Sequence, residues 1–241
     1  VAAPPRFKAT GGKDIIGWRG LEQPFYAVPN MLADAVREQR GMRVHAWRGI
    51  GAGYNKFASE CFLDEVAQAM GRDPLELRLE LTQGHPRAQG VIRAVAEMAD
   101  WKRARPAGRT LGIAFSDYHE TLTAGIAEVS LDRKSGRIRV HQYWIAADPG
   151  IVIQPDNAHA QLEGAVVYGL SSALTEELTI KDGAVRQQNF HEYRVLRMSD
   201  MPEIHTRIIA TDNPPTGMGE VGVPSVAPAI ANAVFKLTGK R

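Results

Sequence analysis

The hydrophobic period of this chain changes from helical to alternating between Trp101 and Gly125, and that change limits the folds open to it. From Tyr54 to Met70 the apolar residues recur at helical spacing, with Phe62, Val66 and Ala69/Met70 on one face and Glu60, Asp64 and Gln68 elsewhere. Gly71 ends the pattern. Asp73-Pro74-Leu75-Glu76 then opens another helix, with Asp as N-cap, Pro at the first helical position and Glu placed to close a capping box. A further helix is predicted over Arg87–Trp101. Beyond it, Ala127, Val129 and Leu131 alternate with Glu128, Ser130 and Asp132; after the turn Arg133-Lys134-Ser135-Gly136, Ile138 and Val140 alternate with Arg137, Arg139 and His141. This predicts a hairpin with one buried face, running through Tyr143-Trp144-Ile145 into a turn at Asp148-Pro149-Gly150. Helices and strands in separate blocks predict an α+β chain of mixed β-sheets with packed helices.

Around this framework, residues 1–30 are rich in Gly and Pro without a period and read as an extended arm. Residues 31–241 form the remainder, with a helical block at 54–101 and a hairpin-bearing part at 110–241. A short strand is predicted at Arg43–Trp47, followed by a glycine-rich turn from Arg48 to Gly53. Leu162, Val166, Leu170 and Leu174 at spacing four predict a long helix over Asn157–Leu178. Gly164 and Gly169 lie inside it, each unfavourable by about 1 kcal/mol relative to Ala, which suggests close approach of another backbone or a ligand. Strands are expected on both sides of Lys181-Asp182-Gly183 and at Ile204–Ile209. The C-terminal helix, Ser225–Leu237, is apolar nearly all round and is expected to be buried.

Composition excludes several function classes. With 44% hydrophobic and 23% charged residues the chain can bury a sizeable core, and its net charge of +2 is scattered rather than clustered, which argues against a nucleic-acid partner. No apolar run approaches the ~20 residues that span a bilayer, and no export-signal pattern is visible. Cys61 is the sole cysteine. An iron–sulfur cluster takes four protein ligands, so any such cluster is expected in another chain. Cys61 falls on the apolar side of its helix and reads as core packing. No His-x-x-x-His or Cys/His spacing suggests a metal ion ligated by protein side chains.

The segment Pro214-Pro215-Thr216-Gly217-Met218-Gly219-Glu220-Val221-Gly222-Val223-Pro224 is the most unusual passage. Three glycines and three prolines shape the backbone around one carboxylate, just before a helix expected to be buried. Partial desolvation makes Glu220 a candidate general base, while an acidic residue set against a helix dipole is an equally good reading of the loop alone. His119, beside Glu120 and after an expected strand, is a candidate for lining a substrate pocket.

Four segments in order resemble the molybdopterin-binding subunit of xanthine dehydrogenase/aldehyde oxidase-type molybdenum hydroxylases. They are Trp47-Arg48-Gly49-Ile50-Gly51; Phe57–Ala67 continuing to Gly71-Arg72-Asp73-Pro74-Leu75-Glu76-Leu77-Arg78; Asn157–Leu170, containing Gln161-Leu162-Glu163-Gly164; and Gly217-Met218-Gly219-Glu220. Within the family, Tyr26–Asn30, Asn189–Met198 and Pro228–Phe235 resemble the isoquinoline 1-oxidoreductase β-subunit branch. Pro149-Gly150 stands where the family commonly has Cys-Gly, Gln154-Pro155 where it has Asn-Pro, and Val221 where Pro often follows the glutamate. The resemblance includes neither the family's GGGFG-type loop nor its Gly-Gln-Gly segment, which are expected on an N-terminal portion or a second chain of the subunit.

The resemblance implies that Glu220 is the catalytic base and that Arg48 orients substrate or stabilises developing negative charge. It implies that Gln161, Gly49, Gly51 and Gly219 contact molybdopterin cytosine dinucleotide carrying molybdenum. Its substrate is then a small aldehyde or N-heterocycle, with water as the oxygen source. Electrons pass to [2Fe–2S] clusters in a partner chain and on to a cytochrome c or another acceptor. Bacterial periplasm and cytoplasm both remain open as compartments. A non-catalytic assembly subunit, or an unrelated hydrolase using Glu220 and a histidine, are the other classes.

Overall fold

The computed structural model describes residues 17–33 and 45–241. Arg43 and Val44 lie outside the described residues, and His45–Trp47 form no strand, contrary to the expectation for that stretch. The first helix, α1, runs Ile50–Ala69 and so takes Gly51 and Gly53 into its opening turn, where the sequence suggested a loop. Helices α2 (Pro74–Leu81) and α3 (Pro86–Met98) follow, and Asp73 caps α2 as expected, its Oδ1 accepting from the N–H groups of Leu75 at 2.8 Å and Glu76 at 3.2 Å.

The face that α1 buries is not the one its apolar residues mark. Phe62 is 64% exposed and Met70 is also exposed, whereas Lys56, Glu60 and Asp64 are buried at successive i+4 steps. Each buried charge has a partner on a neighbouring element, the condition under which burial of charge is tolerated. Lys56 pairs with Asp117 and donates to Gln23 Oε1 at 2.9 Å. Arg78 on α2 donates to Glu60 at 2.9 Å and to Asp64 at 2.7 Å. Glu60 also accepts from the Tyr26 hydroxyl and the Phe115 N–H, both at 2.8 Å. Cys61 is buried beside this network as expected, and burial pushes its thiol up to about 11.

Strands β1 (Arg109–Tyr118), β2 (Thr121–Leu131) and β3 (Ile138–Asp148) form an antiparallel meander, and β6 (Glu203–Ile208) adds in parallel to β3. Two short strands, β4 (Ile180–Lys181) and β5 (Ala184–Val185), flank the Asp182-Gly183 turn. The main sheet is covered on both sides, so the expected hairpin with a single buried face is corrected. Ile113, Phe115, Ile126 and Trp144 enter one apolar cluster with α2 and α3, while Ala114, Ala127, Val129, Tyr143 and Ile145 enter another with α4 (Pro155–Leu174) and α5 (Val226–Thr238). The alternation in the sequence was real, but the face that Glu128 seemed to mark as solvated also buries Leu122, Ala124, Ile126, Trp144 and Ala146 under α2 and α3.

Helix α4 stops four residues before the expected end, where Thr175 turns its hydroxyl back to the Ser171 carbonyl at 3.0 Å. Helix α5 carries the buried residues Val226, Ala229, Ile230 and Ala233 against β1 and β2. The loop between β6 and α5 therefore crosses the end of the sheet where β1 turns into β2.

Candidate active site at the Glu220 loop

Hydrogen bonds tie the Pro214–Pro224 loop to that end of the sheet. The N–H of Thr216 donates to the Pro149 carbonyl at 2.8 Å, and that of Gly217 donates to the His119 carbonyl at 3.2 Å. Thr121, the first residue of β2, donates to the Gly217 carbonyl at 2.5 Å; Thr123 donates to the Val221 carbonyl at 3.2 Å. Gly217 is required for this approach, since a Cβ there would stand 2.7 Å from His119 Cβ. Val221 is fully buried and anchors the loop from below. Glu220 is thus held between a buried valine and the β1–β2 turn.

Its carboxylate gathers three donors. The Gly49 N–H reaches Oε1 at 3.2 Å, the Tyr118 hydroxyl reaches Oε2 at 2.9 Å, and His119 Nε2 lies 3.0 Å from Oε2. The side chain is 31% exposed. Burial pushes against ionisation, but the donors from Gly49, Tyr118 and His119 outweigh it and hold the carboxyl below the usual carboxylate range. Glu220 is therefore ionised at neutral pH. Gly49 can present its N–H in this direction because it has φ +96°, a left-handed conformation that favours glycine.

Arg48 joins the parts. Its Nε donates to the Gly219 carbonyl at 2.7 Å, and one terminal nitrogen donates to Gln161 Oε1 at 3.0 Å. The guanidinium also lies 5.8 Å from the centre of the Tyr168 ring, against which Trp47 packs at 5.3 Å. Three of the four segments singled out from sequence (Trp47–Gly51, the Gln161 helix and the Gly219-Glu220 loop) therefore converge on one guanidinium. Gly49, Gly219, Gln161 and Glu220 come together around it. Gly51 does not: it is buried in the first turn of α1 and, with Trp47, Arg48, Tyr54 and Phe57, lines a cavity of about 760 Å³ whose lining does not include Gln161, Gly219 or Glu220.

Sequence reasoning overlooked Tyr118 and the direct contact of His119 with the carboxylate. The signal was the pair His119-Glu120 between two alternating segments, which form a two-residue hairpin turn with Tyr118 opposite Thr121. His119 also lines a cavity of about 660 Å³ with Trp18, Phe25, Tyr118 and Leu122.

Residues 63–202 match the family model described as the molybdopterin cofactor-binding domain. The chain is similar to isoquinoline 1-oxidoreductase subunit beta of Brevundimonas diminuta, with 38% identity over 240 residues covering 98% of this chain and 31% of that protein. It is also similar to a membrane-bound aldehyde dehydrogenase (pyrroloquinoline-quinone) of Gluconacetobacter polyoxogenes, with 35% identity over 80% of this chain and 28% of that protein. The chain thus spans under a third of the length of these relatives. The fold is similar to that of quinoline 2-oxidoreductase from Pseudomonas putida 86, with a TM-score of 0.72 at 13% identity, covering 80% of this chain and 50% of that one. On the family match, which takes in more than half of its residues, the chain belongs to the molybdopterin cofactor-binding domain family.

Proposed function

We propose that this chain forms part of a molybdenum hydroxylase that oxidises an aldehyde or N-heterocyclic substrate, with Glu220 as its general base. The observation that carries this reading is an ionised, partly exposed carboxylate fixed by three donors and linked through Arg48 to Gln161. The donor set fits an anionic, hydrogen-bonding cofactor. Gln161 is exposed and turns Oε1 toward Arg48, so its amide nitrogen is the group that would donate to the cofactor. Gly219 is exposed, with open space where a Cβ would stand, so a flat ligand can approach the backbone there. Gly49 and Gly51 are buried and do not offer the open backbone that Gly219 does; Gly49 contributes its N–H to Glu220 instead.

The cofactor, proposed to be molybdopterin cytosine dinucleotide with molybdenum, supplies the two-electron oxidising equivalent when bound. Glu220 accepts a proton from the water-derived oxygen that attacks the electron-poor substrate carbon. Overall, substrate C–H and water become C–OH, two protons and two electrons. The electrons leave for [2Fe–2S] clusters in a partner chain and then for a cytochrome c or other acceptor. Arg48 keeps the base and the glutamine in register.

The test uses the intact enzyme. A positioned general base contributes about 10²–10⁴-fold to rate, so Glu220→Gln should lower turnover at least about 100-fold with molybdenum content unchanged. Near-normal turnover at full molybdenum loading refutes the assignment. Metal analysis of the same preparation separates this reading from the quinone named in one relative, since only the molybdenum reading requires the metal.

A further inference from the structure

The donors around Glu220 are unevenly shared between its two oxygens. An ionised carboxylate offers about four lone-pair sites, two on each oxygen. Oε2 receives both the Tyr118 hydroxyl at 2.9 Å and His119 Nε2 at 3.0 Å, whereas Oε1 receives the Gly49 N–H at 3.2 Å. Because an ionised carboxylate can only accept, Nε2 carries the imidazole proton in this contact. Among the described residues, two donors reach Oε2 and one reaches Oε1.

The turn that delivers these donors is strained in a way its sequence does not explain. His119 and Glu120 both have positive φ, +52° and +64°. A two-residue hairpin with both central φ values positive ordinarily takes Asn-Gly or Asp-Gly. Non-glycine residues held in this region are unfavourable and persist where the surroundings enforce them, often at functional sites. Here the enforcement is visible: Gly217 packs on His119 Cβ, and Thr121 ties the turn to the loop. A sequence better suited to the turn would lose the ring that reaches Glu220.

We propose that Tyr118 and His119 are positioning residues that saturate Oε2 of Glu220 and thereby assign the incoming proton to Oε1. The proposal rests on the reading of Glu220 as base and adds which atom does the work and what holds it. Among the described residues, the charged and titratable groups facing this carboxylate are Tyr118 and His119 from the hairpin and Arg48 from the segment before α1. Arg19 bears on Tyr118, and Glu120 is the neighbouring turn residue. Of these, only Tyr118 and His119 hydrogen-bond the carboxylate itself. Removing either one withdraws a charge-assisted donor from the ionised form and makes the carboxyl easier to protonate.

The experiment compares Tyr118→Phe and His119→Asn in the assembled, cofactor-loaded enzyme. Phe keeps the ring and removes only the hydroxyl; Asn tolerates the left-handed turn but cannot reach Oε2. Two readouts are followed: the acid limb of the pH profile of kcat/KM, and the infrared titration of the Glu220 carboxyl, isolated by subtracting the spectrum of Glu220→Gln. Each variant is expected to raise both midpoints by roughly half to one pH unit, with thermal stability and molybdenum content unchanged. Unchanged infrared midpoints in both variants overturn the proposal and leave the base reading intact. Wild-type turnover in Glu220→Gln instead overturns the base reading and the proton assignment that depends on it. Lost stability with an unmoved titration makes Tyr118 and His119 structural and also overturns the proposal.

Discussion

Replacing Arg78 by Met probes the polar network beneath the site with little change in shape. Arg78 is fully buried and donates to Glu60 Oε2 at 2.9 Å, to Asp64 Oδ1 at 2.7 Å, and to the carbonyls of Pro74 and Glu60 at 3.1 Å each. Met fills much of the same volume, so the packing loss is small beside the electrostatic one. What the variant creates is two buried carboxylates without their counter-charge. Breaking a buried pair by removing one partner is unfavourable by about 3–5 kcal/mol. At 1.36 kcal/mol per tenfold, a loss of about 3 kcal/mol lowers hydrogen-exchange protection of α1 and α2 peptides by more than about 100-fold. The pH dependence has a definite sign. Burial raises the Asp64 carboxyl even against the opposing pull of Arg78. Without Arg78, burial and the neighbouring Glu60 carboxylate raise it further, opposed only by the weaker pull of Arg241. A carboxyl raised in the folded state stabilises below its unfolded pKa and loses that contribution as pH rises through the folded one. The deficit is therefore expected to be larger at pH 8 than at pH 5. Protection lowered by less than about tenfold, or a deficit larger at pH 5, refutes the account.

Two further outcomes are expected. Gly169→Ala places a Cβ 2.7 Å from Val226 Cβ and should destabilise by about 1–2 kcal/mol after the helix-propensity gain, whereas Gly164→Ala meets nothing within 4 Å and should stabilise by about 1 kcal/mol. Thermal unfolding of the assembled protein checks the pair, and shifts of the same sign contradict it. Gln161→Ala should lower cofactor occupancy, read by metal analysis, while turnover per bound molybdenum stays near normal. Full occupancy contradicts its proposed role as a cofactor contact.

Where the sequence was legible, local chemistry decided the outcome. The Asp73-Pro74 start of α2, the β2–β3 hairpin and the buried C-terminal helix follow from capping and periodicity that tertiary packing did not override. The α1 face was misread because Lys56, Glu60 and Asp64 look like a solvated stripe until Arg78 and Asp117, which lie 14–61 residues away, supply counter-charges. No pattern within the helix carries that information. The second buried face of β2 and β3 was hidden for a similar reason, since Glu128 reads as solvated until Arg105 and Arg109 supply its counter-charges. At the site, Glu220, Gln161 and Arg48 were each marked by their own motifs. Tyr118 had none, because its role arises from a turn whose residues disfavour the conformation they adopt.

The contacts of Arg48 add a positional reading to the role the resemblance implies. The resemblance assigns it to substrate orientation or charge stabilisation. In the structure its Nε is committed to the Gly219 carbonyl and a terminal nitrogen to Gln161 Oε1. A planar guanidinium with donors in a fixed fork can hold both at once, whereas a lysine ammonium presents a single point of charge. Gly219 immediately precedes Glu220, and Gly49, whose N–H meets Glu220 Oε1, immediately follows Arg48. The chain thus forms a closed circuit: Arg48 fixes the loop, the loop presents Glu220, and Glu220 is met by the backbone of Arg48's own neighbour. A shift at any one contact displaces the others, so base and proposed cofactor contact move as a unit. On the proposed function, Arg48 acts at least through where it holds Glu220 and Gln161.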